Sequence, residues 1–206
     1  MITASQNTLT LCGKVHACPS FSHQSHGERF MHFPLIVKRL SDTSDIINVI
    51  VNEKKLKSLE LSPDDFISVS GELRSFNNKS GIGSRLVITA YAHELSHHTE
   101  EYLNELTLSG VVCKEPVYRK TPLGREICDL MLAINRRYGR ADYLPCIAWG
   151  RNAYISSLFT VGSCVNIIGR IQSRNYIKLI DGVEHPRVTY EVSISSISEN
   201  SNTIIS

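Results

Sequence analysis

The chain states one pattern twice, and that repetition limits what it can fold into. Asn7-Thr-Leu-Thr-Leu-Cys-Gly-Lys-Val15 is answered 97 residues later by Asn104-Glu-Leu-Thr-Leu-Ser-Gly-Val-Val112, with Asn, Leu, Thr, Leu, Gly and Val coinciding. The echo continues at the same offset, where Leu35-Ile-Val-Lys-Arg39 meets Leu132-Ala-Ile-Asn-Arg136. Shifted by one further residue, Ser70-Gly-Glu-Leu-Arg-Ser75 meets Ile168-Gly-Arg-Ile-Gln-Ser173. Solenoid repeats run about 20 to 50 residues, so this period is too long for one. It fits a whole small domain, duplicated and fused, and 206 residues hold two domains of about 100 residues each. Function then rests on one module or on two copies that have specialised.

Composition narrows the class. Hydrophobic residues make up 42% and charged residues 20%, an ordinary globular balance. No run is long and apolar enough to span a membrane, and the first residues lack a basic-then-apolar signal pattern. The expected location is therefore cytoplasmic, with no membrane partner. The six cysteines (Cys12, Cys18, Cys113, Cys128, Cys146 and Cys164) include no CxxC and fall mostly in apolar runs, so buried reduced thiols are expected. Cys12, Cys18, His23 and His26 match zinc-ligand spacings poorly, and neither a metal nor any other cofactor is expected. The net charge of +2 hides a local excess. Lys114, Arg119, Lys120, Arg125, Arg136, Arg137, Arg140 and Arg151 crowd one stretch that holds four acidic residues, a distribution compatible both with solvated surface and with a polyanionic partner.

Both halves read as short strands with one helix late in each. Leu9–Val15 and Leu106–Val112 alternate apolar with small or polar residues, the period-2 signature of a strand. The glycine inside each run suggests a bend or bulge at a barrel corner. Second strands are expected at Arg29–Lys38 and Glu126–Arg136, and third strands at Ile46–Val51 and Tyr143–Trp149. Helices are expected at Glu53–Leu61 and Arg151–Phe159. Fourth strands follow at Phe66–Leu73 and Cys164–Ile171, and fifth strands at Arg85–Leu95 and Arg187–Ile197. Five strands with a helix between the third and fourth is the order of an OB-fold barrel, an all-β closed sheet with a minor helix. The boundaries read as an N-terminal barrel over 1–96, a polar linker over 97–103, a C-terminal barrel over 104–197 and a frayed tail over 198–206.

No catalytic constellation stands out: the chain has no GxSxG, no P-loop and no HExxH, and it is not expected to be an enzyme. The second half instead interleaves aromatics with arginines. Tyr138 stands among Arg136, Arg137 and Arg140. Tyr143 opens the third strand, and Trp149 closes it ahead of Arg151. Tyr176 follows Arg170 and Arg174. Unpaired bases stack on flat rings for about 1–3 kcal/mol each, while guanidinium groups pair with phosphate and stack on π-faces. Each aromatic taken alone reads equally well as packing. Tyr143 and Trp149 are six residues apart and share one strand face, but periodicity does not say whether that face points inward or outward.

Residues 104–197 resemble the bacterial single-stranded DNA-binding protein family. After the opening asparagine and apolar run, Glu115-Pro-Val-Tyr-Arg-Lys-Thr-Pro-Leu-Gly124 is similar to the family's D-P-E-x-R-x-T-P-x-G element. Leu130-Met-Leu-Ala-Ile-Asn-Arg136 resembles its F-x-L-A-x-x-R strand, and Cys146-Ile-Ala-Trp-Gly-Arg-Asn-Ala153 its V-x-x-W/F-G-K-x-A element. Val161 to Tyr176 resembles K-G-S-x-V-x-V-x-G-x-L-x-x-R-x-Y/W, and Thr189-Tyr-Glu-Val192 resembles the closing strand. The resemblance implies a tandem, duplicated form of this family that binds single-stranded DNA without sequence preference in replication, recombination or repair, associated with the nucleoid. It puts the base-stacking positions at Tyr138, Tyr143, Trp149 and Tyr176, which favours a surface-exposed face. Arg119, Arg136, Arg137, Arg140, Arg151, Arg170 and Arg174 are the candidate phosphate contacts. The family presents four OB domains per assembly, so a homodimer is expected.

Two departures qualify the resemblance. The first half keeps Gly13, Arg39 and Gly71 but has no aromatic in its third strand. Phe76 is its one stacking candidate, with Lys38, Arg39, Arg74 and Lys79 as possible phosphate contacts, so this domain is expected to bind weakly or to serve in assembly. The C-terminus carries no acidic tip of the kind that recruits partner enzymes in replicative relatives, which suggests an accessory member. Two rivals stay open. One is a primosomal accessory protein that binds single strands weakly and a helicase tightly; the other is a protein-interaction module on the same fold.

Overall fold

The structure is a computed structural model that describes residues 6–57, 59–78, 84–98, 101–136, 139–180 and 182–200. The chain divides into two compact units. One comprises Thr8–Arg74 with Ile88–Glu105; the other comprises Leu106–Ser206 with Met1–Asn7 and Ser75–Val87.

The N-terminal repeat contains β1 (Asn7–Val15), β2 (Ser20–Ser25), β3 (Glu28–Lys38), β4 (Ser44–Asn52), α1 (Glu53–Leu56), β5 (Phe66–Asn77) and β6 (Leu86–His97). Its strand order is β2-β3-β4-β6-β5-β1. The closing pair is β3 with β1, at Lys14↔Ile36 and Val15↔Leu35. The C-terminal repeat contains β7 (Leu103–Val112), β8 (Val117–Lys120), β9 (Glu126–Asn135), β10 (Ala141–Trp149), α2 (Arg151–Ser157), β11 (Cys164–Ile180) and β12 (Val183–Glu199). Its order, β7-β11-β12-β10-β9-β8, closes through β7 and β9 at Val111↔Ala133 and Val112↔Leu132. Each repeat is thus a five-stranded OB barrel with one appended strand, β2 or β8, that pairs along one edge with β3 or β9. The sequence reading missed both appended strands because they are short and polar; β8 is exposed at every position.

The duplicated pattern is a duplicated core. Leu9, Leu11, Leu35, Val37, Ile47 and Val49 are buried in the first barrel. Their counterparts at the 97-residue offset are Leu106, Leu108, Leu132, Ile134, Leu144 and Cys146, all buried in the second. Each repeat also has the same parallel pairing of third and fifth strands, Val49↔Ala90 in one and Cys146↔Val192 in the other. The strand-one glycines mark a close crossing, not a bulge. At Gly13 the strand passes from β5 to β3, and a Cβ there would lie 2.2 Å from the Ile36 carbonyl oxygen. At Gly110 the corresponding distance to the Ala133 oxygen is 2.6 Å. A register shift does occur in β11, between Ile168 and Gly169.

The helices are shorter than the sequence suggested. α1 is a single turn whose Asn52 side chain caps the Lys54 amide, and it buries none of its residues. With no apolar stripe to bury, it gains no tertiary support for further turns. The fourth and fifth strands are longer than expected: β5 runs to Asn77, β11 to Ile180, and β12 from Val183 to Glu199. Strand β12 runs to Glu199, and the Asn200 amide bonds the Cys164 carbonyl at 2.8 Å, so the expected tail begins later than residue 198. Residues 201–206 lie outside the described residues. All six cysteines are free: Cys12, Cys128 and Cys146 are buried, whereas Cys18 is exposed, contrary to a uniformly buried set. Burial pushes the Cys128 thiol up to about 11 and Cys146 higher still.

Candidate nucleic-acid interface

Strand register decides which way the candidate side chains point. In β10 the buried residues are Asp142, Leu144, Cys146, Ile147 and Ala148, while Tyr143 and Trp149 are 50% and 40% exposed. Both rings therefore belong to the outward face, about 20 Å apart at the usual strand rise. Directly opposed residues of paired strands share a face, so the ladder can be followed outward. Trp149 is opposite Ile127 on β9, which is opposite Arg119 on β8. On the other side, Ile147 is in register with Ser193 on β12, and Ser193 with Arg170 on β11. Continuing along that hairpin, Arg174 is opposite Thr189 and Tyr176 opposite Arg187. One continuous face thus carries Arg119, Trp149, Tyr143, Arg170, Arg174 and Tyr176.

The charges on this face are partly engaged. Arg119 pairs with Asp129 at 2.8 Å, both about half exposed, a contact that solvent and salt weaken. Arg174 Nε is 3.3 Å from Glu191, which also accepts from Gln172 at 3.0 Å. The Nε atoms of Arg170 and Arg187 are buried and have no hydrogen-bond partner among the described residues. Such donors are rare in folded proteins. Arg140 and Arg151 are exposed, near the start of β10 and at the first residue of α2.

Arg136, also among the phosphate candidates, is engaged within the protein. Its guanidinium makes a two-pronged contact with Asp142, which is fully buried, and donates to the Ser75 carbonyl at 3.1 Å. Ser75 belongs to the same compact unit. Its amide donates to Asp142 at 2.5 Å, and its hydroxyl accepts the Tyr143 amide at 2.7 Å. This network fixes the backbone under the Tyr143 ring. The N-terminal repeat has the same pair 97 residues earlier: Arg39 donates to Asp45 at 2.7 and 2.5 Å, and Asp45 is also fully buried. Arg39 is likewise engaged in structure. The matching Arg and Asp were visible as repeats in the sequence, but the pairing could be read only in three dimensions. Tyr138, Arg137 and Lys79 lie outside the described residues.

Trp149 is held by its register in β10 and by the turn that follows. The Gly150 amide bonds the Glu126 carbonyl at 2.9 Å. Gly150 itself adopts φ 54° and ψ −124°, a region open to glycine, and leads directly into α2. Tyr118, which the sequence reading passed over, pairs with Cys128 and so lies off this face. A hydrogen bond to Glu126 raises its phenol above the ordinary range.

The first barrel has no aromatic on β4, in line with its sequence, but its neighbouring strands carry a cluster of rings. His23 stacks on Phe30 with ring centres 4.9 Å apart, Phe30 meets Tyr91 at 5.9 Å, and Tyr91 meets His93 at 5.5 Å. The Arg74 guanidinium lies over Tyr91 at 5.4 Å while also pairing with Glu72, and Arg29 lies over Phe21 at 4.9 Å. These residues come from β2, β3, β5 and β6, so among the ring pairs only the Tyr91–His93 spacing on β6 was local in sequence. Lys38 lies over Tyr102 at 5.4 Å. Among the described residues no three His, Cys, Asp or Glu side chains converge on a metal site, and no helix is long and apolar enough to cross a membrane.

Residues 103–198 match the model of the single-strand binding protein family. Single-stranded DNA-binding protein 1 of Staphylococcus aureus is 36% identical over 81 residues, covering 36% of this chain and 48% of that protein. Single-stranded DNA-binding protein A of Bacillus subtilis is 35% identical over 81 residues, covering 36% and 47%. The chain thus spans about half the length of the relatives it matches. In fold it resembles the crystal structure of wild-type single-stranded DNA binding protein from Thermus aquaticus, with a TM-score of 0.81 at 19% identity over 99% of this chain and 97% of that one.

Proposed function

We propose that this chain, whose residues 103–198 match the model of the single-strand binding protein family, coats single-stranded DNA stoichiometrically and without sequence preference. Bases stack on Tyr143, Trp149 and Tyr176, and on Tyr138 by extension. Arg119, Arg140, Arg151, Arg170 and Arg174 meet the phosphates, whereas Arg136 holds the strand from beneath. The observation that supports this most is the outward row on β10, with two half-exposed rings on the face that also bears Arg119, Arg170 and Arg174. Rings without base-edge donors or acceptors at fixed positions bind every base alike. Two chains assemble into a dimer with four OB domains, and the complex serves replication, recombination or repair rather than catalysing a reaction.

Trp149 is the single tryptophan, so the test is direct. Oligo(dT) is expected to quench its fluorescence saturably, with mixed-sequence oligonucleotides close behind. Log affinity should fall linearly with log salt, at about 0.7 per phosphate neutralised. Absence of binding at low salt, or marked preference for one sequence, overturns the reading. Sedimentation should give about twice the 23.1 kDa chain mass.

A further inference from the structure

The face described above ends at a feature that the stacking row leaves unexplained. The segment Ser75–Val87, part of the N-terminal repeat in sequence, belongs to the compact unit of the second barrel. Ser75 anchors one end of it on Asp142 and Tyr143, and the Ser84 hydroxyl anchors the other by donating to the Val188 carbonyl at 3.0 Å. Between Ser84, Arg85 and Leu86 of this segment and the β11–β12 hairpin residues Arg174, Tyr176 and Thr189 lies a groove of about 260 Å³. That is slightly below the ~300 Å³ lower bound of drug-sized ligand sites, a space suited to a single nucleotide.

We propose that this groove is a nucleotide subsite in which Arg85 and Arg187 hold the phosphate of the base stacked on Tyr176. The proposal rests on the single-strand reading above and adds two arginines to it. Arg85 is exposed, and its guanidinium has no carboxylate partner among the described residues. Arg187 stands opposite Tyr176 in the β11–β12 ladder, with a buried Nε that has no hydrogen-bond partner among the described residues. The carboxylate on the same ladder, Glu191, is taken up by Arg174 and Gln172. Arg85 and Arg174 line the groove with Tyr176, and Arg187 stands opposite that ring, so positive charge gathers beside an aromatic, the combination that single-stranded backbone and base require together. Phe76 follows the anchored Ser75 and is 48% exposed, so the same segment also offers a ring next in chain to that anchor. By this route the N-terminal repeat serves DNA binding through Arg85.

The test is anisotropy of labelled oligo(dT) with the full-length protein across a salt series. Arg85→Ala is expected to weaken binding about tenfold at low salt and to lower the salt slope by about one. Arg85→Lys retains the charge and should keep the slope. Lys57→Ala, an exposed change after α1 in the other unit, should leave both unchanged. Arg85→Ala combined with Tyr176→Ala should lose less than the sum of the single changes, because both act on one nucleotide. If the parent protein fails to bind, the single-strand reading falls and the subsite with it. If the parent binds and Arg85→Ala equals it in affinity and slope, or Arg85→Lys loses as much slope as alanine does, the subsite alone is overturned.

Discussion

Removing the Asp142 carboxylate tests the link from sequence repeat to site geometry most sharply. In Asp142→Ala the Arg136 guanidinium, 24% exposed, loses its buried partner, and the Ser75 amide loses its acceptor. Breaking a buried pair by removing one member costs about 3–5 kcal/mol, because an uncompensated charge stays in a poorly solvated place. At about 2–4 °C per kcal/mol for a chain of this size, the melting temperature should fall by roughly 6–20 °C. Asp142→Asn keeps the shape and an acceptor, so it should cost less. The double change Arg136→Met with Asp142→Leu should recover much of the loss, since apolar residues often replace a buried pair with little penalty. Urea denaturation followed by far-UV circular dichroism gives the stabilities, and a cycle of Arg136→Met, Asp142→Leu and the two together measures the coupling of the pair. Asp45→Ala should destabilise comparably through Arg39. Only the Asp142 changes should also weaken oligo(dT) binding, because the Ser75 hydroxyl that accepts the Tyr143 amide belongs to that network alone. A loss below about 1 kcal/mol for Asp142→Ala, or no coupling in the cycle, refutes the reasoning.

Further outcomes follow from the same geometry. Trp149→Ala should weaken oligo(dT) binding by about 1–3 kcal/mol, the stacking of one base, and Trp149→Tyr by much less because a flat ring remains; equal affinity of the alanine variant and the parent counts against the assigned face. Gly110→Ala forces a Cβ to 2.6 Å from the Ala133 oxygen and should cost about 1–3 kcal/mol of stability in a thermal melt; an unchanged melt would show that the strands separate freely there. In native protein at pH 8 a disulfide reagent should label Cys18 rapidly. Cys128, with its thiol pushed up to about 11, and the more strongly raised Cys146 should react only after unfolding, and rapid labelling of either contradicts their burial.

The sequence alone determined the duplication, the strand order and the alternation that fills each core, because those depend on local period and on apolar residues recurring at a fixed offset. Leu9 and Leu106, or Ile47 and Leu144, could be paired before any fold was known. It also marked Tyr143 and Trp149 as sharing one face. Whether that face points outward was decided by the barrel, since a strand's two faces are told apart only by what packs on them. Tertiary structure likewise set Arg136 against the buried Asp142, and it gathered His23, Phe30, Tyr91 and His93 from three strands. It also assigned Ser75–Val87 to the second barrel's unit, where Arg85 lines the groove beside Tyr176. Periodicity carries information about neighbours along a strand, whereas contacts between residues distant in sequence exist only once the chain has closed.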